Sequence, residues 1–549
     1  MEREVAWREV LFAAVTGAVI AVLMSWPLAL HLGSDIAKDL GDPLLQAWQV
    51  AWIGHALVTS PLDLWQANTF WPYDDTLAFS DALVGYAPVG LLAQASPHAA
   101  LIGYNALFLF AYSLAFFGAY LLARELGVGW LGAAAAGAAF AYAPWKLTQN
   151  GHLHVLSSGG LPLALFLLVR GYRRDSRWTV LAGWLVAAWQ MTLGFTLGLQ
   201  LFYLLVVLAA GLAVAVWRRW LPRPDRDVLV TTVVGAAIFL VATGFMARPY
   251  LRVLDEHPEA KRTPAYVETF SPRLRSFLAA PEESWLLGDA TVRARAPLPA
   301  PAEMSLFPGF AICLLALIGA LGSVFSRRLR IGLVIGTVAC AALSLGVRDV
   351  DGPARYLTPY RFLFDIAPGW DGVRTPGRIN TLTSLGLALL AGAGLCVVVR
   401  ALRRRSPAAA VAAGVLGVGL VLVEGLGPLT HPAVTQPPSA ARLEAGPQLQ
   451  LPPQDSLYMY WSTDGFPKIV NGFGGFDPTG YDRLRQEVAG FPDAQSVAAL
   501  RELGVRTVLF HPEFAPGTSW EGALDKPTDG LGLEREQVGD VTVFRVRPS

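Results

Sequence analysis

The stretch 10-VLFAAVTGAVIAVLMSWPLALHLGSDIAKDLGDPLLQAWQVAW-52 joins two patterns that decide the class of fold. Residues 10–30 form an apolar run of about 20 residues, long enough to cross a bilayer as one helix and longer than a signal-peptide core. No small-x-small cleavage site follows the run, so we expect an uncleaved signal anchor. Two acids, Asp39 and Asp42, then stand directly before a segment that is nearly all apolar or aromatic. This order predicts a membrane protein whose first loop is more than a connector.

The composition of the whole chain favours the same class. Of 549 residues, 54% are hydrophobic and 15% are charged, whereas soluble proteins carry about a quarter charged residues. The formal net charge of +1 says nothing about partners, and we expect none among nucleic acids. The three cysteines, Cys313, Cys340 and Cys396, fall in apolar runs. They are typical of small buried hydrophobic residues, not of a disulfide frame or a zinc site.

Repeated apolar runs predict a mainly α fold, a polytopic membrane helical bundle of about 11 spans. The predicted spans are 10–30, 100–123, 130–147, 154–171, 178–194, 197–217, 228–247, 304–325, 331–346, 378–399 and 408–427. The least certain division is at Gly194 and Gly198. A cytoplasmic N-terminus places the Arg-rich segments 170–177, 218–226, 327–330 and 400–405 on the cytoplasmic side, as the positive-inside rule requires.

This topology leaves four large segments outside the membrane. They are the first loop 31–99, the loops 248–303 and 347–377, and the tail from residue 430. The tail is mixed polar, with candidate strands at 457–461, 506–511 and 541–546 and a candidate helix at 494–504 closed by Gly504. We therefore predict a transmembrane domain over residues 1–429 and a small C-terminal extracytoplasmic α/β domain over residues 430–549.

The first loop carries carboxylates among aromatic residues. Residues 43–58 predict a helix with Trp48 and Trp52 that lies in the membrane interface or packs on the spans. Asp74 and Asp75 stand among five aromatic residues between positions 65 and 79, a pattern common in sugar sites. Each acid also has a structural interpretation. Asp42 before Pro43 fits a helix N-cap, and Asp74 and Asp75 fit a turn after Pro72.

The stretch 369-GWDGVRTPGRINTLTSLG-386 predicts an anion site. Thr375 before Pro376 fits the start of a helix, whose free amides and positive dipole end attract anions. Arg374 and Arg378 flank that start, and arginine binds phosphate in bidentate fashion. The alternative is that these arginines pair with acids such as Asp371 or Asp365, or with lipid headgroups.

The outer end of the third predicted span adds two candidates. Lys146 is a candidate second phosphate contact, and His152 is a candidate substrate ligand or, as the more common role, a hydrogen-bonded wall residue. The loop 248–303 is basic in its first part. We interpret it either as a solvated loop or as a lid over substrate.

The chain resembles a known superfamily in five stretches. They are 41-GDPLLQAWQVAW-52, 68-NTFWPYDDTLAFSDALVG-85, 140-FAYAPWKLTQNGHLHVLS-157, 367-APGWDGVRTPGR-378 and 458-YMYWSTDGFPKIVNGFGGF-476. Together with the order of spans and loops, they resemble the GT-C membrane glycosyltransferases, and most closely the bacterial YfhO-like and mannosyltransferase-like proteins. In that superfamily an Asp of the first external loop acts as base or metal ligand, and Asp42 is the matching position. A second acid has no clear match, although Asp39, Asp74 and Asp75 are candidates.

The resemblance implies an inverting glycosyltransferase of the bacterial cytoplasmic membrane. It would move a sugar from a polyprenyl-phosphate donor to a glycan, lipid or protein acceptor of the envelope, on the outer face. A divalent metal, Mg or Mn, would be held by Asp39 and Asp42. The competing classes are a transporter or flippase of lipid-linked glycans, which needs polar residues within the spans, and a non-catalytic envelope-assembly protein.

Overall fold

The computed structural model describes residues 6–350, 352–443 and 446–548 of the chain. This part of the chain is mainly helical, with one small sheet of four strands near the C-terminus. The fold class predicted from the sequence is thereby confirmed, a helical bundle with a small C-terminal α/β portion.

The helices of the first half of the chain include most of the long ones. They are α1 Trp7–Met24, α2 Asp42–Thr59, α3 Ala87–Ala93, α4 Pro97–Glu125, α5 Trp130–Tyr142, α6 Leu153–Leu156, α7 Gly160–Arg173, α8 Arg177–Thr192, α9 Phe195–Trp217 and α10 Arg226–Glu256.

The second half alternates short helices with four apolar ones, α14, α15, α17 and α18. The full set is α11 Pro264–Glu268, α12 Val292–Arg295, α13 Pro301–Met304, α14 Phe310–Leu321, α15 Arg327–Leu343, α16 Tyr360–Ile366, α17 Asn380–Arg403, α18 Pro407–Glu424, α19 Ser439–Leu443, α20 Asp455–Trp461, α21 Thr479–Glu487 and α22 Ala494–Glu502.

Each predicted span coincides with a helix, but the helices differ in length. Within the described ranges, seven helical segments are long and apolar enough to cross a membrane, and they indicate a membrane protein. The other four predicted spans correspond to the shorter helices α5, α8, α14 and α15, which have 13, 16, 12 and 17 residues. The division expected at Gly194 or Gly198 falls at Gly194, which has φ of +155° between α8 and α9. A side chain would be strained there, which explains the glycine.

The chain divides into two compact units. Unit 1 comprises Met1–Ala29, Leu107–Met246 and Arg262–Leu429, and unit 2 comprises Leu30–Ala106, Ala247–Lys261 and Thr430–Ser549. The predicted boundary at 429/430 is therefore also a boundary between units. Unit 2, however, contains most of the first loop as well as the tail.

Helix α17 is the central helix of unit 1. It packs against α5, α14, α15 and α18, and its buried positions run from Asn380 to Cys396. Glycines make two of these contacts close. A Cβ on Gly392 would lie 2.6 Å from the carbonyl oxygen of Gly132 on α5, and one on Gly394 would lie 1.9 Å from that of Leu315 on α14. Small residues are the usual means by which helices approach closely in membranes.

The sheet of unit 2 combines parallel and antiparallel pairs. Its strands are β1 Gln448–Leu451, β2 Thr507–Phe510, β3 Leu533–Val538 and β4 Val541–Val546, in the order β1-β2-β4-β3. The pair β1 and β2 is parallel, and β4 runs antiparallel to both β2 and β3. Helices α20, α21 and α22 lie between β1 and β2 in sequence, as a parallel pair requires.

Most of the predicted elements of the tail are present. Strands β2 and β4 and helix α22 match the sequence expectations at 506–511, 541–546 and 494–504. The prediction of a strand at 457–461 is wrong, because these residues form the end of α20 and are buried. A short apolar run that is buried on all sides has no period that distinguishes helix from strand.

Segments of the first loop form backbone hydrogen bonds with the tail inside unit 2. The amides of Phe70 and Trp71 donate to the carbonyls of Asn471 and Ile469, at 3.2 and 3.0 Å, and the amide of Ile469 donates to Asn68 at 2.8 Å. A second ladder joins residues 34–38 to residues 430–434. The first loop is therefore a structural part of the C-terminal α/β unit.

Helix α2 is buried within unit 2 along most of its length. It packs against α3 and α20. The indole of Trp48 donates to Asn68 Oδ1 at 3.0 Å, and that of Trp52 donates to the carbonyl of Leu64 at 2.9 Å. The two tryptophans, expected at the membrane interface or against the spans, are instead core residues of this unit.

Candidate functional site

The start of α17 in unit 1 is built as the sequence predicted. A 3₁₀ turn, Pro376–Ile379, runs directly into α17, and Pro376 follows Thr375 as the first helical residue. The side chain of Thr375 makes no capping hydrogen bond. Gly377 permits a close approach here, because a Cβ at this position would lie 2.9 Å from the carbonyl oxygen of Glu303. The helix start is thus pressed against the short helix α13.

Arg378 joins three elements of unit 1. Its Nη2 donates to Glu303 Oε1 at 2.8 Å, and its Nη1 lies 2.9 Å from His154 Nε2. The side chain is 8% exposed. The alternative partners considered from the sequence, Asp371 and Asp365, are not the ones found, and Asp365 pairs with Arg361 at 3.0 Å. A guanidinium at a helix start is thus neutralised from a distant part of the chain.

Glu303 is the residue that sequence reasoning missed. Burial alone would raise the pKa of its carboxyl, but the charge of Arg378 and its hydrogen bond, with His152 and Arg374, outweigh burial and lower that pKa to about 2. The carboxylate is therefore charged at any physiological pH. The available signal was an acid directly before an apolar run predicted as a span, since charges next to a membrane span are usually paired.

Arg374 lies beside this cluster without taking part in its hydrogen bonds. Its guanidinium lies 5.3 Å from the centre of the Phe270 ring, and its charge acts on both Glu303 and His154. Burial, and then the charge of Arg374, lower the pKa of the Arg262 side chain. Arg374 therefore influences both the Glu303 carboxyl and Arg262, and the arginines near the start of α17 outnumber its one glutamate.

His152 and Lys146 lie in the segment between α5 and α7. His152 Nε2 is 3.8 Å from Glu303 Oε1, which brings His152 into the cluster. Lys146 is buried, and its Nζ donates to Ser158 Oγ at 3.1 Å and lies 4.6 Å from the centre of the Phe140 ring. These contacts bind Lys146 to a hydroxyl and an aromatic face.

Asp42 lies in unit 2, in the first turn of α2. The helix begins at Asp42 itself, with Gly41 in the N-cap position and no capping hydrogen bond from a side chain. The interpretation of Asp42 as an N-cap is therefore wrong by one residue. Its side chain is half-buried. Asp39 is exposed, and its Oδ1 accepts a hydrogen bond from the amide of Gly41 at 2.9 Å, which shapes the turn before the helix.

Asp74 and Asp75 differ although they are neighbours. Asp74 is exposed, whereas Asp75 is 2% exposed and pairs with Arg252 at 2.8 Å. Burial raises the pKa of Asp75, and Arg252 opposes that shift. The carboxylate also accepts a hydrogen bond from Gln66 at 3.1 Å. Asp75 is thus a buried acid whose partners, Arg252 and Gln66, both lie in unit 2.

Two of the aromatic residues around these acids belong to the core of unit 2. Phe70 is 1% exposed and Phe79 is 3% exposed. Phe70 packs edge-on against Tyr481 with ring centres 5.2 Å apart, and Phe79 packs against Phe476 at 4.8 Å. Rings buried in this way hold the first loop to the tail.

The described residues offer a metal ion few protein ligands. Across residues 6–350, 352–443 and 446–548, no group of three or more His, Cys, Asp or Glu side chains is arranged to hold one. Asp39 and Asp42 would offer at most two carboxylates, and Asp39 already accepts a backbone hydrogen bond. A magnesium ion bound to only one or two carboxylates takes its remaining ligands from water and substrate phosphates.

The fold is similar to those of two kinds of solved protein, an arabinofuranosyltransferase and an oligosaccharyltransferase. The mycobacterial arabinofuranosyltransferase AftD is similar with a TM-score of 0.60 and 15% sequence identity, over 99% of this chain and 40% of AftD. The apo form of the oligosaccharyltransferase of Archaeoglobus fulgidus is similar with a TM-score of 0.52 and 13% identity, over 95% of this chain and 71% of that one. The chain thus spans less than half the length of AftD. At such identities the likeness shows the fold alone.

The sequence itself gives no match to a known family. No protein-family model matches it, and no curated protein sequence does. The likeness to AftD and to the oligosaccharyltransferase therefore rests on the structure.

Proposed function

We propose that the chain is an integral-membrane glycosyltransferase that moves a sugar from a polyprenyl-phosphate donor to an acceptor in the cell envelope. In this proposal the protein lies in the bacterial cytoplasmic membrane with its N-terminus inside, and the reaction takes place on the outer face. The acceptor is a glycan, a lipid or a protein. The YfhO-like and mannosyltransferase-like resemblance of the sequence supports a bacterial envelope role.

The observation that carries the proposal is the cluster of arginines at the start of α17. A buried arginine and a second arginine without a described ion pair lie at the start of a long helix. Helix starts and arginines both bind phosphate. Lys146 and His152, from the segment before α7, are proposed as further contacts to the donor.

Catalysis in this proposal needs two kinds of group. Asp42 acts as the general base, which takes the proton from the acceptor hydroxyl as its oxygen attacks the anomeric carbon. The bond to the phosphate oxygen breaks, and the developing negative charge is stabilised by Arg374 and Arg378. A single attack inverts the anomeric configuration. Asp74 and Asp75 are proposed to assist on the sugar side, Asp74 as the exposed contact and Asp75 as its buried support.

The competing proposal of a transporter or flippase has less support. Such a protein uses polar side chains within its spans. The two most central ones here are both buried. Gln190 donates to the carbonyl of Ser157 at 2.8 Å, and Gln200 lies in the buried part of α9. The Gln190 bond joins α8 to the turn between α6 and α7, so it has a structural use.

Sugar transfer by the purified protein tests the proposal. With a radiolabelled polyprenyl-phosphate sugar, Arg374→Ala is expected to lower the rate roughly 100-fold, the loss typical of removing one charge-stabilising donor. Arg275→Ala is the matched control, because Arg275 is an exposed arginine in the neighbouring loop, and it should leave the rate unchanged. No transfer from any donor, or equal losses in both variants, would exclude the proposed role of Arg374.

A further inference from the structure

The guanidinium of Arg378 is only partly used in its ion pair. Nη1 is engaged by His154 and Nη2 by Glu303 Oε1, while Nε is buried and makes no hydrogen bond within the described chain. The second carboxylate oxygen, Glu303 Oε2, is likewise buried without a hydrogen-bond partner. The pair is therefore joined through a single hydrogen bond, with one donor and one acceptor left over.

A closed arginine–carboxylate pair has a different geometry. Nε and Nη2 point in the same direction from the guanidinium, and a planar or tetrahedral anion usually accepts from both at once. Buried polar groups left unpaired cost free energy. Glu303 therefore satisfies fewer of the donors of Arg378 than a phosphate would, because a phosphate can place one acceptor oxygen at Nε and another at Nη2.

We propose that Glu303 is a provisional counter-ion, which pairs with Nη2 of Arg378 until the phosphate of the donor replaces it and accepts from both Nη2 and Nε. This inference rests on the proposed function, because it takes the donor phosphate as the replacing group. In the empty state Glu303 keeps a buried arginine paired. In the loaded state the phosphate accepts from both nitrogens, and the Glu303 carboxylate turns away.

The surroundings favour the exchange of one anion for another. The charge of Arg374 helps to lower the pKa of Glu303, and it also helps to lower the pKa of Arg262. His152 Nε2, at 3.8 Å from Glu303 Oε1, is a further polar group at the same place. The donor phosphodiester carries one negative charge, as the carboxylate does, but it offers two acceptor oxygens to Nε and Nη2 of Arg378.

Only the Glu303 side chain has to move. Its backbone is held by the contact with Gly377 and by the start of α13, where the amide of Glu303 donates to the carbonyl of Ala300 at 3.1 Å. The loop before it has its own small core of Ala279, Leu298 and Met304. A rigid backbone with a long flexible side chain suits a counter-ion that is displaced by rotation.

Binding of a polyprenyl phosphate in detergent, measured by calorimetry, tests the inference without turnover. Glu303→Gln keeps the size and one acceptor oxygen but removes the competing charge, and it should tighten binding roughly tenfold. The matched control is Glu268→Gln, which removes a glutamate charge from the same stretch, where Glu268 lies 3.9 Å from Arg273. It should leave binding unchanged. If Glu303→Gln does not fold, Glu303→Ala is expected to tighten binding in the same direction.

The outcomes separate this inference from the proposed function. If a folded Glu303 variant binds polyprenyl phosphate as wild type does, or more weakly, the counter-ion role is overturned. The phosphate site still stands in that case if Arg378→Ala abolishes binding. Unchanged binding by Arg378→Ala would overturn the phosphate site itself, and with it the proposed function. Repeating the titration with inorganic phosphate distinguishes the source of the anion. If Glu303→Gln also binds inorganic phosphate more tightly than wild type does, the site recognises the phosphate alone. If only polyprenyl phosphate binds more tightly, the site recognises the phosphate together with the polyprenyl chain.

Discussion

At the scale of single residues, the arginines of the candidate site were predictable and their partner was not. Arg374 and Arg378 stand in a local pattern, next to Thr375 and Pro376, that indicates a helix start and hence an anion site. The bond from Arg378 to Glu303 joins residues 75 positions apart. No local spacing encodes such a contact, so the sequence could offer only the nearby acids Asp371 and Asp365.

The lowered pKa of Glu303 predicts that the folded chain loses stability as the pH falls. The pKa of Glu303 is about 2 in the folded chain, against an ordinary value of 4.5. A lowered pKa stabilises the fold fully above the unfolded value, and this stabilisation is lost as pH falls toward the folded value. We expect wild type to melt above Glu303→Gln at pH 6, with the gap closing between about pH 4.5 and pH 2. Melting curves in detergent measure it, and a gap that stays constant to pH 2 would show that Glu303 is not held by Arg378.

At the scale of elements, glycines decide how closely α17 packs. The sequence predicted α17 as a span from its apolar run, but not which of its glycines face a neighbour. The structure separates them, since Gly394 meets the carbonyl of Leu315 on α14, while a Cβ on Gly419 of α18 would meet nothing within 4 Å. Apolar periodicity is weak in a helix that is apolar on every side, which is why the contact faces could not be predicted.

Replacing Gly394 therefore has a cost that replacing Gly419 lacks. Gly394→Ala would place a Cβ 1.9 Å from a backbone oxygen, so α14 and α17 must separate, and overpacking of this kind costs about 1–3 kcal/mol. Gly419→Ala should be neutral or slightly stabilising, since alanine is the better helix former. Thermal unfolding in one detergent compares the two variants. Equal melting temperatures would mean that the α14–α17 contact does not limit stability.

At the scale of the whole molecule, the sequence predicted the class of fold but not the grouping of segments. Apolar runs of span length gave the helical bundle, and the change of composition near residue 430 coincides with a unit boundary. The union of the first loop with the tail depends on hydrogen bonds such as Phe70 to Asn471. These join residues about 400 positions apart, beyond the reach of any local pattern.

The substitution Asp42→Asn can separate a structural role of this residue from a chemical one. Asp42 lies in the first turn of α2, so Asp42→Asn keeps the size of the side chain and removes a negative charge near a helix start, worth about 0.3–1 kcal/mol. A large effect of the substitution on transfer then has a chemical cause, since an amide does not act as a base.

The most direct test of the account is the rate of sugar transfer from a polyprenyl-phosphate donor by wild type, Asp42→Asn and Asp39→Asn, with melting temperatures measured on the same samples. Asp39 is the matched control, an exposed acid in the turn before α2. The account predicts that Asp42→Asn keeps the wild-type melting temperature within a few degrees and loses transfer by roughly 100-fold or more, as for a general base, while Asp39→Asn stays active. Full transfer by Asp42→Asn would contradict it.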